Sequence, residues 1–143
     1  MANEIRINSS LNINKGNFQY QSYPQAFYDD MLVVAGPTPG SLLVSVSYTI
    51  VNLSQLTTPG WCWLMNLDIA NSVYVGIYNN HFNVFMPMLE LLPGKPQQIF
   101  LSSLLGKDLR PGTGTVPADS YIDSLALKAD VAPCQVLVQA FNR

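Results

Sequence analysis

The chain has 143 residues, of which 48% are hydrophobic and only 11% charged, with a net charge of −2. That length fits one ordinary domain with a real core, and the charge content is less than half of the roughly 25% usual in soluble domains. The 7 Lys and Arg residues are scattered from Arg6 to Arg143, which excludes a basic track for phosphates or an anionic membrane surface, and no apolar run is as long as a membrane helix.

Met1 to Arg6 shows no charged region followed by an apolar stretch, so no secretory leader is expected and folding in a reducing cytoplasm is. Residues 1–28 are more polar and more aromatic than the rest, with Phe18, Tyr20, Tyr23, Phe27 and Tyr28 among many Asn and Gln. Two readings stay open for them: an arm that adds a strand to a neighbour or lies over it, or the first strands of the domain. Short strand candidates lie at residues 4–8, 11–13, 18–21 and 31–34, with a turn at residues 24–28. The remainder, residues 29–143, is expected to be one β-sandwich domain.

Period-two alternation dominates that domain. Val44, Val46, Tyr48 and Ile50 would share one face of a strand, with Ser45, Ser47 and Thr49 on the other. Trp61, Trp63, Met65 and Leu67 alternate with Cys62, Leu64 and Asn66, so both faces are largely apolar, as in a central strand. Val73, Val75 and Ile77 alternate with Tyr74, Gly76 and Tyr78, and Asn79-Asn80-His81 then reads as a hairpin tip. Further strands are expected at residues 83–89, 98–101 and 121–128, and a last one where Cys134, Val136, Val138 and Ala140 alternate with Gln135, Leu137 and Gln139.

Punctuation is dense. Pro-Gly occurs at Pro39-Gly40, Pro59-Gly60, Pro93-Gly94 and Pro111-Gly112, where Pro presets φ and Gly accepts positive φ. Two of these belong to Thr-Pro-Gly triplets, each of which is expected to open a strand. Residues 101–109 offer the one plausible short helix, and the stretch from Leu109 to Asp119 has no periodicity and reads as an exposed loop. Many short strands with turn signals between them indicate an all-β fold: an antiparallel β-sandwich, jelly-roll or Ig-like, with little helix.

Chemistry is hard to find. The single histidine, His81, sits in the expected turn, and no Gly-x-Ser-x-Gly elbow accompanies it. Asp29-Asp30, Asp119 and Asp123 show no regular spacing of oxygen ligands for calcium. Cys62 and Cys134 sit in apolar runs and read as buried thiols ahead of a disulfide; neither has a neighbouring His or Cys to share a metal. Hence no catalytic, cofactor or metal residue is assigned, and no enzyme activity is expected. Trp61 and Trp63 share a face: core in so apolar a strand, or a sugar-stacking platform if exposed beside Asn, Asp or Gln. Tyr48, Tyr74 and Tyr78 suit a polar or interfacial face better.

One ordered set is more specific. Trp61 to Asp68 ends in Asn66-Leu67-Asp68; Val73-Tyr74-Val75-Gly76-Ile77 follows, then Leu92-Pro93-Gly94-Lys95, then Leu127-Lys128-Ala129-Asp130. Spread over about residues 36 to 141, this set resembles small β-sandwich proteins encoded among the virion structural genes of tailed bacteriophages. It departs at Lys95, where those proteins often carry Glu. The resemblance implies a non-enzymatic virion structural protein, foremost a capsid decoration (cement) subunit. A neck or tail component is the alternative, as is a carbohydrate-binding host-attachment module. It implies partners too: other copies of the chain in a homo-oligomer, and neighbouring virion proteins such as the major capsid protein. No direct nucleic-acid or membrane contact is expected, and the location would be the virion, assembled in the host cytoplasm.

Overall fold

The computed structural model describes residues 4–31, 33–106 and 122–143. The expected loop at Leu109 to Asp119 and the turn at Pro111-Gly112 therefore lie outside the described residues. The chain divides into two compact units, Met1–Val34 with Arg143, and Ala35–Asn142.

The first unit is a two-stranded antiparallel ribbon in two stretches. β1 (Ile5–Ser9) pairs with β4 (Gln25–Asp29), and β2 (Asn12–Lys15) pairs with β3 (Phe18–Gln21) across the tight turn at Gly16, whose φ is 57°. The expected turn at residues 24–28 is thus a strand. Between the stretches, Leu11 and Ser22 hold the register: the Ser22 amide donates to the Leu11 carbonyl at 2.8 Å, and the Leu11 amide to Ser22 Oγ at 2.7 Å. There Tyr23 and Pro24 oppose the single Ser10, a bulge. No strand forms among the described positions of residues 31–34.

The second unit is a sandwich of two four-stranded sheets. Its strands are β5 (Thr38–Val44), β6 (Thr49–Ile50), β7 (Pro59–Asn66), β8 (Val73–Asn79), β9 (Val84–Leu91), β10 (Pro96–Phe100), β11 (Asp123–Ala129) and β12 (Cys134–Asn142). One sheet has the order β10-β7-β12-β5 and the other β6-β11-β8-β9, and the pairings are antiparallel throughout. Only the β8–β9 hairpin stays within a sheet; every other connection between successive described strands crosses to the opposite sheet. This is a jelly roll, and it removes the Ig-like alternative, in which hairpin neighbours lie side by side.

The crossing β5–β6 explains one difference from the sequence reading. Residues 44–50 alternate as one strand would, yet the chain turns a corner there. The Ser45 amide donates to Thr49 Oγ1 at 3.0 Å, and Ser45 Oγ donates to the Tyr48 carbonyl at 3.0 Å. These short side chains give the backbone a local alternative to the ladder. Both Thr-Pro-Gly triplets open strands, β5 and β7, as expected. Residues 103–106 form turns, so the described part of the expected helix at residues 101–109 is not helical, and positions 107–109 lie outside the described residues.

The core lies between the sheets. Val44, Leu64, Val73, Leu127, Val136 and Val138 are fully buried in it, with Cys62 and Cys134 as free buried thiols. Burial pushes the Cys62 thiol up to about 12. Among the described residues Asn66, at 0% exposure, is one of three buried polar residues, with Thr38 and Asn142. Its Nδ2 donates to the carbonyls of Asn71 at 2.8 Å and Leu91 at 3.2 Å, and its Oδ1 accepts from the Asp68 amide at 3.0 Å. Asp68 Oδ1 accepts in turn from the amides of Ala70 and Asn71, each at 2.7 Å. Those bonds, from Asn71 first, hold the Asp68 carboxyl below its ordinary range. The Asn-Leu-Asp strand end thus folds the next turn onto itself, satisfying groups that burial would otherwise leave unpaired.

Candidate interaction surfaces

Not one residue of β5, β7, β10 or β12 is charged. The pairing register sorts them by face, since directly opposed residues share a side. Cys62 and Leu64 point into the sandwich, so Trp61, Trp63 and Met65 point out. The tryptophans are therefore not core, contrary to the reading from the apolar strand. Strand alternation had two apolar faces to choose between, and the smaller side chains took the interior. In register across the outside, Gln139 of β12, Trp63 of β7 and Gln98 of β10 form one row. Leu137, Met65 and Pro96 form the next. Trp61 meets Phe100 edge to face at 4.9 Å. Trp63 keeps 39% of its surface, Phe100 46% and Leu43, on β5, 63%.

The outer face of the other sheet differs. Tyr48 stacks on Tyr78 with ring centroids 4.4 Å apart, and the Tyr78 hydroxyl donates to Asn83 Oδ1 at the hairpin tip. Tyr74 pairs with Lys128 and Glu90 across the strands, and the nearby Asp130 carboxylate raises its phenol. Tyr74 thus lies on the outward side of β8 among charged neighbours, whereas Tyr78, on the same side, is buried at 7% exposure with Tyr48 stacked on it, against the expectation of a polar face for it.

The sandwich's edges are blunted. β9 carries Pro87 and a register shift between Val75 and Gly76 that leaves Met88 unpaired. β10 starts at Pro96, β5 contains Pro39, and β6 has only 2 residues. Prolines, bulges and short strands are devices that prevent a further strand from adding to a sheet.

The ribbon carries the third surface. Odd positions Ile5, Ile7, Leu11 and Ile13 share one face of β1 and β2, opposite Phe27, Tyr20 and their neighbour Phe18. Even positions Glu4, Arg6, Asn8, Asn12 and Asn14 lie on the other face, opposite Tyr28, Gln21 and Gln19. Arg6 sits over the Tyr28 ring at 5.7 Å. The apolar stripe is solvent-exposed: Leu11 53%, Ile13 41%, Phe18 60%, Tyr20 49% and Phe27 52%. Alternation over residues 4–14, broken only at Ser9, was the signal that could have exposed this amphipathic ribbon from the sequence.

A cavity of about 540 Å³ opens between β8, β9, β10 and β11, with Val75, Ile77, Leu101, Leu104 and Leu125 in its lining. Among the described residues one carboxylate lines it, Asp123, which accepts from Asn79 Nδ2 at 2.7 Å, and no second titratable group joins it as an acid–base pair. Among the described residues no three His, Cys, Asp or Glu side chains group as metal ligands, and no helix is long and apolar enough to cross a membrane. His81 lies in the β8–β9 turn against Phe82 at 4.7 Å. Compared with known proteins, the chain matches no family model, no curated protein and no solved structure.

Proposed function

We propose that this chain is a non-enzymatic structural subunit that works by packing its faces against other proteins. Its specific setting would be the virion of a tailed phage, as a capsid decoration subunit, the role the Asn66-to-Asp130 motif set implies by resemblance. One observation carries the reading: two large uncharged or apolar surfaces stand exposed, while the sheet edges are closed to strand addition. A domain with 11% charged residues has little means of solvating such faces alone. Quantitative mass spectrometry of purified particles tests it. Hundreds of copies per particle support decoration, about a dozen or fewer a neck or tail position, and absence from particles ends the proposal.

A second reading, a carbohydrate-binding module, is favoured by the Gln139–Trp63–Gln98 row, an exposed indole between two amides. A glycan array with wild type and Trp63→Ala checks it. Binding lost in the variant supports it; an array blank for the wild type removes it.

A further inference from the structure

Resting on the reading as an assembly subunit, we infer that the N-terminal ribbon of one copy lies, apolar stripe down, on the uncharged outer face of the β10-β7-β12-β5 sheet of a second copy. Three observations lead there.

The first is that the ribbon, taken by itself, is only two strands wide. A two-stranded ribbon is marginal in water, and a third strand or a packed face is needed for stability. This one exposes five large apolar side chains on a single side. At roughly 200 Å² per large side chain, their exposed fractions amount to on the order of 500 Å². That is more than half of the roughly 800 Å² each partner contributes to a standard interface.

The second is complementarity. The four strands of the receiving face carry no charged residue to strand against an apolar partner. The stripe's own charges, Lys15 and Asp29, sit at its two ends, where an interface has its solvated rim. Lengths agree as well: at about 3.3 Å per residue the stripe from Ile5 to Lys15 runs roughly 35 Å, against roughly 30 Å for β12. The other sheet's outer face, with Lys128 and Glu90 beside Tyr74, offers no such match.

The third is exclusion. Each edge strand of the sandwich carries a proline or a bulge or is only 2 residues long. The arm therefore covers a face and does not extend a sheet. Because the two surfaces differ, the contact is heterologous, and it closes by reciprocal exchange between two copies or around a ring.

Sedimentation velocity on the full chain tests this with two sets of substitutions. One removes the stripe (Ile13→Ser, Phe18→Ser, Tyr20→Ser); the other alters the receiving face (Leu43→Ser, Trp63→Ala). Asn14→Ser with Gln19→Ser, on the ribbon's polar side, is the control. The wild type and control are expected to associate, and each variant set to weaken association at least tenfold with the sandwich's unfolding temperature unchanged. Mixing the two variant proteins is expected to yield a dimer that neither forms alone, since one intact stripe then meets one intact face. Association that survives loss of the stripe overturns the inference and leaves the assembly reading standing. So does sensitivity to the stripe without sensitivity to the face, which points to stripe-on-stripe pairing. A wild type that stays monomeric at every concentration also overturns it; the assembly reading fails only if the chain is missing from particles too.

Discussion

Asn66 is the residue whose loss the structure costs most clearly. It is wholly buried, and its amide serves three backbone groups: the carbonyls of Asn71 and Leu91 and the amide of Asp68. In Asn66→Ala the Leu91 carbonyl loses its partner in the buried interior, and the Asn71 carbonyl and Asp68 amide lose theirs in part-buried surroundings. An unsatisfied buried polar group costs about 1–3 kcal/mol. Allowing for partial relaxation, the sum is about 3–4 kcal/mol, a large share of the 5–15 kcal/mol typical of a domain. At about 2–4 °C per kcal/mol for a chain of this size, the melting temperature falls by about 10 °C. Asn66→Asp separates hydrogen bonding from volume. It keeps the acceptor facing the Asp68 amide but aims a second oxygen at two carbonyls. The carboxyl is stable there only when protonated, so its folded pKa rises above the unfolded value of about 3.9. Below that value only the loss of one donor remains, since a single O–H serves one of the two carbonyls, and the charge-linked penalty grows as pH rises through the folded pKa. Urea denaturation from acid to neutral pH reads both variants. A loss under 1 kcal/mol in Asn66→Ala, or an Asn66→Asp protein whose deficit is the same at every pH, would refute the reasoning.

Further expectations follow from the same geometry. A Cβ on Gly76 would lie 2.1 Å from the Met86 carbonyl oxygen and 2.9 Å from Pro87 Cα, backbone that cannot step aside, so Gly76→Ala should force β9 off β8. The expected loss is about 3 kcal/mol or more in denaturant unfolding; a change within 0.5 kcal/mol would contradict the close approach. The Cys62 thiol, pushed up to about 12 by burial, should resist alkylation in native protein and react at ordinary rates only after denaturation. Rapid native labelling would contradict its placement. Asp68 has a depressed carboxyl pKa, so its contribution is present above the unfolded value and lost as pH falls through the folded one. Asp68→Asn should therefore flatten the acid limb of the stability curve while leaving the core unchanged.

Much of the fold was legible because its signals are local. Alternation in β7, β8 and β12 and the Asn79–His81 turn mark strands and a hairpin directly, and the Thr-Pro-Gly triplets mark strand starts. What stayed hidden depends on tertiary partners. Periodicity says that Trp61 and Trp63 share a side but not which side faces the opposite sheet when both are apolar. It could not foresee the corner at Ser45, where hydroxyl bonds break a pattern that otherwise runs unbroken from Val44 to Ile50. The uncharged sheet face was visible only as a composition-wide charge deficit, because four separate strands supply it. The ribbon's stripe is plainer in the sequence, as apolar residues at positions 5, 7, 11 and 13 between polar ones.

The central claim is that exposed apolar faces on this chain exist to be covered by protein. Amide hydrogen exchange of the ribbon strands as a function of protein concentration tests it most directly. A lone two-stranded ribbon exchanges quickly, and a docked one slowly. Protection across β1 to β4 is expected to rise as the chain is concentrated, together with growing burial of Trp63. Ribbon amides that exchange equally fast at every concentration, in a protein that remains monomeric and is missing from purified particles, would contradict it.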